Sequence, residues 1–302
     1  MKSVFLIILL GGGGNDRVLK IRLQNDREVA RDLDREVELF RFLEKNVSTN
    51  KISVPPVLTF GKYRNLQWYL RRYQDGTLAG QMKDDHGFSK KFLDKVFPRE
   101  FAEAISDYQN CDLKEVRKLR LHYHGNWWYR RDFDFYRKNF LAGFIRSDLN
   151  DNFLSKGEVE EIDELLKKSG KLLDREAKYL CHGDLYPNNV LITPEGKIVF
   201  LDWGISNFNN PAFDVAFVYL GAWRSKKWRE DFLKHYLMRQ KNRKNFAEFF
   251  RLSLISLTIR FSGHCWRHIK DEKTPEAEKN KLFSVLKNHL KILRTVLRKS
   301  GY

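Results

Sequence analysis

The sequence predicts an α+β chain of two lobes. A small antiparallel-sheet lobe with one key helix covers residues 1–73, and a larger, mostly helical lobe covers residues 74–302. Three observations lead there. β-prone runs dominate the first quarter, whereas apolar residues beyond it recur at three- and four-residue spacings, the period of helices with one buried face. A polar, glycine-containing break, Tyr73-Gln74-Asp75-Gly76-Thr77-Leu78, divides the two regimes. Within the helical part, the stretch from Cys181 to Trp203 reads CHGDLYPNNVLITPEGKIVFLDW. Its apolar runs Val190–Ile192 and Ile198–Leu201, joined by the turn Pro194-Glu195-Gly196, predict a β-hairpin.

In chain order, Val4–Leu10 and Arg17–Leu23 flank a glycine-rich turn and form a first hairpin, with Lys20 in its second strand. The opening Met1-Lys2-Ser3 and seven apolar residues read as a strand entering that turn. Four glycines and Asn15-Asp16 stand where a signal peptide would carry its small-residue cleavage site. A helix follows from about Asp26 or Arg27 to Asn46, with Leu33, Val37, Phe40 and Leu43 on one face. Glu36 lies beside that face and Glu38 reads as solvent-facing. Val54-Pro55-Pro56-Val57 leads into a strand pair, Leu58–Lys62 and Leu66–Arg72. The break at Tyr73–Leu78 is the expected hinge.

Helical patterns then cover Lys90–Asn110, Trp127–Phe144 and Lys156–Lys178. His122–Tyr129 is rich in aromatics and imidazoles. His at i and i+2 do not share a helix face and no neighbouring Cys or carboxylate completes a metal set, so core packing and surface hydrogen bonding are expected there. Lys226–Leu237, Asn245–Arg267 and Pro275–Arg298 read as the closing helices.

With 302 residues and 42% hydrophobic content, the chain can bury a sizeable core. Three widely spaced cysteines, Cys111, Cys181 and Cys265, suggest reduced thiols in a cytoplasmic protein. No apolar run reaches the length of a membrane span. The net charge of +17 admits a polyanionic partner, and nine Lys or Arg against two acids between Arg224 and Lys244 mark the best face for one. Solvated basic helices are the preferred reading, and nucleic acid is not expected as the main partner. The oligomeric state is not legible.

The chemistry lies in the second hairpin. Asn189 stands at the start of its first strand, Asp202 at the end of its second, and Asp184 five residues upstream of Asn189. Two carboxylates and a carboxamide converging at one end of a hairpin suit a hard, oxygen-coordinated cation such as Mg²⁺. His182-Gly183-Asp184, Asn189 and Asp202-Trp203 together resemble the H-G-D-x-x-x-x-N loop and D-W motif of the aminoglycoside phosphotransferase and small-molecule kinase family, which has a protein-kinase-like fold. Protein kinases more often carry Arg at the second loop position and D-F-G later, so Gly183 and Trp203 point to the small-molecule branch.

The resemblance implies ATP and Mg²⁺ as cofactors and a small-molecule hydroxyl as acceptor. It makes Asp184 the catalytic base and Asn189 and Asp202 the metal ligands. Lys20 would hold the α- and β-phosphates, Glu36 would orient Lys20, and main-chain groups from Leu70 to Tyr73 would meet the base of the nucleotide. His182 would order the loop, and Asp214, in Pro211-Ala212-Phe213-Asp214-Val215-Ala216, would brace it through backbone hydrogen bonds. One departure stands out. The family places a strand and a glycine-containing phosphate loop ahead of the first hairpin, but only nineteen residues precede Lys20. Either that strand and loop are missing, which is the favoured reading and puts ATP affinity in question, or the Gly11–Asp16 turn covers the phosphates in an altered lobe. The alternative function is a non-catalytic nucleotide- or polyanion-binding module of the same fold.

Overall fold

The computed structural model describes residues 5–11, 16–23, 27–47, 49–81, 87–119, 121–123, 154–240, 243 and 245–298. The N-terminal part is an antiparallel four-stranded sheet in the order β1-β2-β4-β3, built from β1 (Phe5–Leu10), β2 (Arg17–Arg22), β3 (Val57–Tyr63) and β4 (Leu66–Arg72). The first hairpin forms as the sequence predicts, with Ile7 opposite Lys20 and Leu9 opposite Val18. Alternation along β2 buries Val18, Lys20 and Arg22 on the face that meets the helix α1 (Arg27–Asn46).

Leu33, Val37, Phe40 and Leu43 of α1 are all buried, as its helical period requires. Leu39, Phe42, Arg35 and Glu36 are buried too, while Glu38 is exposed. The extra burial has a tertiary cause. α1 is clamped between the sheet and a short 3₁₀ turn, Trp203–Ile205, from the far side of the chain, and Arg35 Nη1 donates to Gly204 O at 3.2 Å.

The stretch at Tyr73–Leu78 carries more order than a polar break. Its end forms β5 (Thr77–Leu78), which pairs with β8 (Val190–Ile192) and thereby with β9 (Ile198–Phe200) in a three-stranded sheet. Gly76 makes this approach feasible, since a Cβ there would lie 2.5 Å from Ile192 O.

The pattern expected as one helix over Lys90–Asn110 is two, α2 (Lys90–Lys95) and α3 (Pro98–Gln109). Pro98 lacks an amide hydrogen and occupies the first turn of α3, where none is needed. Ser89 caps α2 through the amide of Phe92. α4 (Leu113–Arg117) and β6 (His122–Tyr123) follow; β6 pairs with β10 (Asn207–Asn209), which also pairs with β7 (Tyr179–Cys181). The remainder of the aromatic segment through Tyr129 and the helix expected at Trp127–Phe144 lie outside the described residues.

α5 (Lys156–Glu176) starts on a reciprocal cap, Ser155 Oγ accepting from Glu158 N and Glu158 from Ser155 N. The closing helices are α6 (Ala212–Gly221), α7 (Lys226–Arg239), α8 (Phe246–Lys270) and α9 (Glu276–Arg298). α6 and α8 are apolar nearly all round because they form the centre of the lobe, α8 packing against both α6 and α9. On α3, Phe101 meets the rings of Phe88, Phe92, Phe200, Trp228 and Phe232, joining α2, β9 and α7 in one core. All three cysteines are free thiols, and burial pushes Cys111 up to about 11 and Cys265 up to about 12. Among the described residues no helix is long and apolar enough to cross a membrane.

Candidate active site

The loop between β7 and β8 is organised from beneath by Asp214, at the start of α6. Its carboxylate accepts from His182 N at 2.7 Å, Gly183 N at 3.0 Å and the Tyr108 hydroxyl at 2.6 Å. The group is fully buried, and burial pushes its carboxyl up to about 6 against those three hydrogen bonds. Gly183 adopts φ +80°, and a Cβ there would meet Asn207 Nδ2 at 2.6 Å; the loop has room for glycine alone.

His182 is fully buried beside Trp203, ring centroids 4.5 Å apart. Its Nε2 lies 2.8 Å from Leu201 O, and its Nδ1 accepts from Asp184 N at 3.2 Å. These partners define a neutral ring protonated on Nε2, and burial pulls its pKa down to about 4. The ring thus ties the start of the loop to the end of the hairpin.

Asp184 keeps 23% of its side-chain surface open. Asn189 Nδ2 donates to Asp184 O at 2.8 Å and to Asp184 Oδ2 at 3.0 Å, while Asn189 Oδ1 accepts from Asn188 at 3.2 Å. Burial pushes the Asp184 carboxyl up to about 6, with the Arg260 guanidinium opposing it from 3.8 Å. The hairpin closes through Leu201 N donating to Asn189 O at 2.8 Å, so its two ends stand side by side.

Asp202 takes the left-handed conformation, φ 60° and ψ 64°, immediately after β9. Such a backbone is uncommon outside glycine, and Asp tolerates it better than most residues. The carboxylate is thereby turned towards β2, where Lys20 Nζ meets Asp202 Oδ1 at 3.0 Å and Glu36 Oε2 at 2.6 Å. Burial alone would lower the Lys20 pKa, but the two carboxylates more than reverse it and keep the ammonium charged. Partial burial works against ionisation of Asp202, and Lys20 overrides it, holding that carboxyl below the usual carboxylate range. Glu36 is pushed up by burial, opposed by Lys20 and by a hydrogen bond from Tyr69. The Asp202 side chain remains 48% exposed.

Lys20, Glu36 and Asp202 therefore meet at one point, and His182, Asp184, Asn189 and Asp214 form a connected network beside it. Leu70 and Tyr73 form no hydrogen bond or ion pair with the side chains of either group. Leu70 lies in the central strand β4 between Leu19 and Thr59, and Tyr73 is 41% exposed with its amide donated to Asp16 O at 2.9 Å. Of the main-chain groups from Leu70 to Tyr73 expected to meet a nucleotide base, the Tyr73 amide is the one this hydrogen bond engages.

A cation would find two oxygen donor groups here, the exposed carboxylate of Asp202 and the carboxamide oxygen of Asn189, a hard pair that fits Mg²⁺. No cluster of three or more His, Cys, Asp or Glu side chains able to hold a metal occurs among the described residues.

The profile described as "Phosphotransferase enzyme family" matches residues 4–249. The chain belongs to this family. Over 96 residues this phosphotransferase-family chain is 32% identical to Protein LicA of Haemophilus influenzae, a match spanning 35% of that protein and 30% of this chain. A second Haemophilus influenzae LicA sequence is matched over 28% of its length, so the chain spans about a third of the curated relatives it matches.

Solved structures agree on the fold over nearly the whole chain. The GDP and kanamycin complex of APH(2")-IIia superposes with TM-score 0.62 at 13% identity, covering 95% of this chain and 93% of that one. Macrolide 2'-phosphotransferase MphH from Brachybacterium faecium gives 0.61 at 16% identity, covering 93% and 90%. Choline kinase LicA from Streptococcus pneumoniae gives 0.55 at 15%, covering 94% and 89%. The fold is the two-lobed, protein-kinase-like one that the sequence predicts.

Three side chains in the site of this phosphotransferase-family chain escaped sequence reasoning. Tyr108 lies 106 residues from Asp214, Arg35 contacts Gly204 across 169 residues, and Arg260 reaches Asp184 from the middle of α8. No motif marks Tyr108 or Arg260. Arg35 directly precedes Glu36, and its burial follows only from the clamping of α1 on both sides, which buries more than one stripe of the helix.

Proposed function

We propose that the chain is an ATP- and Mg²⁺-dependent phosphotransferase acting on a hydroxyl group of a small molecule. The observation that carries this reading is the meeting of Glu36, Lys20 and Asp202, at 2.6 Å and 3.0 Å, beside Asp184 and Asn189. Residues from the N-terminal sheet, its helix and the distant hairpin bring one buried cation and two carboxylates to one point, which is what anchoring a nucleotide's phosphates requires.

In this reading residues 1–73 form the nucleotide-binding lobe and residues 74–302 the catalytic one. Lys20 neutralises the α- and β-phosphates and Glu36 keeps its ammonium aimed. Asn189 and Asp202 hold Mg²⁺, which supplies charge neutralisation on the phosphates. Asp184 orients the acceptor hydroxyl and receives its proton, and Asn189 fixes its Oδ2. His182 and Asp214 position the loop and do not touch substrate. Family membership and the relatives named phosphotransferases or kinases support the assignment, as do the nucleotide complexes among the structures sharing the fold. A cytoplasmic site of action belongs to the same proposal.

Calorimetry of Mg·ATP with the wild type and with Asp202→Ala tests it. Binding that needs Mg²⁺ and is lost in the variant is expected. Absence of binding at millimolar nucleotide in the wild type overturns the proposal and favours a non-catalytic module.

A further inference from the structure

The basic stretch between Arg224 and Lys244 is not uniformly a solvated face. Lys226 pairs with Glu230 at 3.8 Å along the outside of α7, and Arg239 reaches Glu103 and Asp107 of α3. Arg229 instead turns inward. It is half-buried, and its guanidinium carbon lies 4.9 Å from the ring centre of Tyr219 on α6. Phe250 of α8 holds the Tyr219 ring in turn, edge-on with centroids 5.3 Å apart. This stacking fixes where the cation stands.

Arg229 opens onto a cavity of about 200 Å³ between α6, α7 and α9. Tyr219, Trp223 and Ile292 form apolar walls, and Asn288 and Lys291 contribute polar groups from one face of α9. Among the described residues no Asp or Glu lines the cavity, and neither Arg229 nor Lys291 has an ion-pair partner. Arg229 Nε is enclosed without a hydrogen-bond acceptor. Asn288 donates one amide hydrogen to Ser284 O at 3.0 Å and keeps a second. The acids of the surrounding helices are placed elsewhere. Glu230 is engaged by Lys226, Asp231 lines a separate pocket with Lys90, and α9 carries no acid after Glu278. Asp214, the acid of α6, braces the catalytic loop.

Two cations on the wall of one acid-free cavity repel each other until an anion neutralises them, in a chain whose net charge is already +17. A phosphate dianion balances both charges, whereas a carboxylate balances one. A guanidinium also presents a planar fork of donors that matches phosphate oxygens. The apolar walls give a bare ion nothing to contact and suit a short organic group. The volume lies below the roughly 300–1,000 Å³ of pockets for drug-sized ligands, so that group is small.

We propose that Arg229 and Lys291 hold the phosphate group of a small phosphate monoester in this cavity, at a site separate from the point where Lys20 meets Asp202. Trp223 stands nine residues beyond Asp214, roughly 13 Å along the direction of α6 from the residue that braces the catalytic loop. α7 packs against α3 and α6, and α9 packs against α8. A ligand bridging Arg229 and Lys291 therefore ties α9 to α7 and stabilises the lobe. Binding involves no bond change.

The test is calorimetry and thermal unfolding at constant ionic strength with inorganic phosphate, glycerol 3-phosphate and phenyl phosphate. The proteins are the wild type, Arg229→Gln, Lys291→Gln and Asp202→Ala. At least one ester should bind the wild type one to one, more tightly than inorganic phosphate, and raise its unfolding temperature. Arg229→Gln and Lys291→Gln should each weaken that binding by about tenfold, the size of a lost charge-assisted hydrogen bond. Asp202→Ala should leave it unchanged.

Absence of binding by both esters at millimolar concentration overturns the inference. Inorganic phosphate binding as tightly as either ester overturns the monoester assignment. Affinity altered in Asp202→Ala puts the phosphate beside Lys20 and overturns the separate site. Lys291 is exposed, so its replacement leaves the fold intact, and an affinity unchanged in Lys291→Gln overturns the inference even where Arg229→Gln fails to fold.

Discussion

His182 and Asp184 stand two residues apart, and burial drives both towards their neutral forms. For the imidazole, the unfolded chain takes up a proton as pH falls through about 6.5, while the folded chain resists until about 4. Stability from this group is therefore complete above pH 6.5 and is lost as pH drops towards 4, by at most about 1.4 kcal/mol per pH unit. Asp184 and Asp214 carry the opposite sign: raised to about 6, they add stability as pH falls below that value. The group's own share is visible as a difference. The stability gap between wild type and His182→Asn, from urea midpoints, should narrow as pH is lowered from 7 towards 5, and a gap independent of pH would contradict the buried neutral ring. Asp184→Asn preserves shape and should cut phosphoryl transfer by about 10²–10⁴-fold while leaving Mg·ATP binding in place. Loss of both together would assign Asp184 to folding instead.

At the scale of elements, the loop after β7 is held by parts far away in sequence. α3 supplies the Tyr108 hydroxyl, α6 supplies Asp214, and the hairpin supplies Leu201 O to His182. The Tyr108–Asp214 contact is a buried hydrogen bond to an acidic group, at 2.6 Å. Tyr108→Phe removes the donor and keeps the ring against Phe200 and Trp203, so it should cost about 2 kcal/mol in denaturant unfolding. Because the loop loses a brace, kcat should fall as well, with little change in nucleotide affinity. Stability within experimental error of the wild type would show that α3 does not support the loop. β5 acts similarly on the hairpin, since Thr77 and Leu78 pair with Ile192 and Leu191 and join the chain after the N-terminal sheet to the strand that follows Asn189.

For the whole molecule, the decisive contact is the one that spans both lobes. Lys20 is 16 residues from Glu36 and 182 from Asp202, and it is nearly inaccessible to solvent. Removing one member of a buried ion pair strands the other, so Glu36→Gln should destabilise the fold by about 3 kcal/mol even though Asp202 remains. It should also weaken Mg·ATP binding, because the ammonium loses the partner that aims it. Denaturant unfolding and calorimetry read the two effects, and a variant unchanged in both would remove Glu36 from the site. Arg35, bonded to Gly204 O at 3.2 Å, adds a second tie from α1 to the turn after Asp202. The position of α1 and the geometry of the hairpin end are thus coupled.

The amino-acid sequence by itself determined the alternation of strands and helices, the two hairpins and the local set Asp184, Asn189 and Asp202. These depend on periodicity, turn residues and spacings within one short stretch of chain, at most the 18 positions from Asp184 to Asp202. It also indicated the Lys20 strand and the Glu36 helix, although their meeting with Asp202 was an inference from resemblance. The split at Pro98 was likewise a local signal present in the sequence. Tertiary structure alone decided the pairing of β5 with β8, the commitment of the Tyr73 amide to Asp16 and the arrival of Arg260 at Asp184. Each of these depends on which surfaces pack together across long stretches of chain. An arginine on a helix has the same local pattern whether it faces solvent or a carboxylate; packing of α8 against the core, over 70 residues beyond the loop, is what brings this one to Asp184.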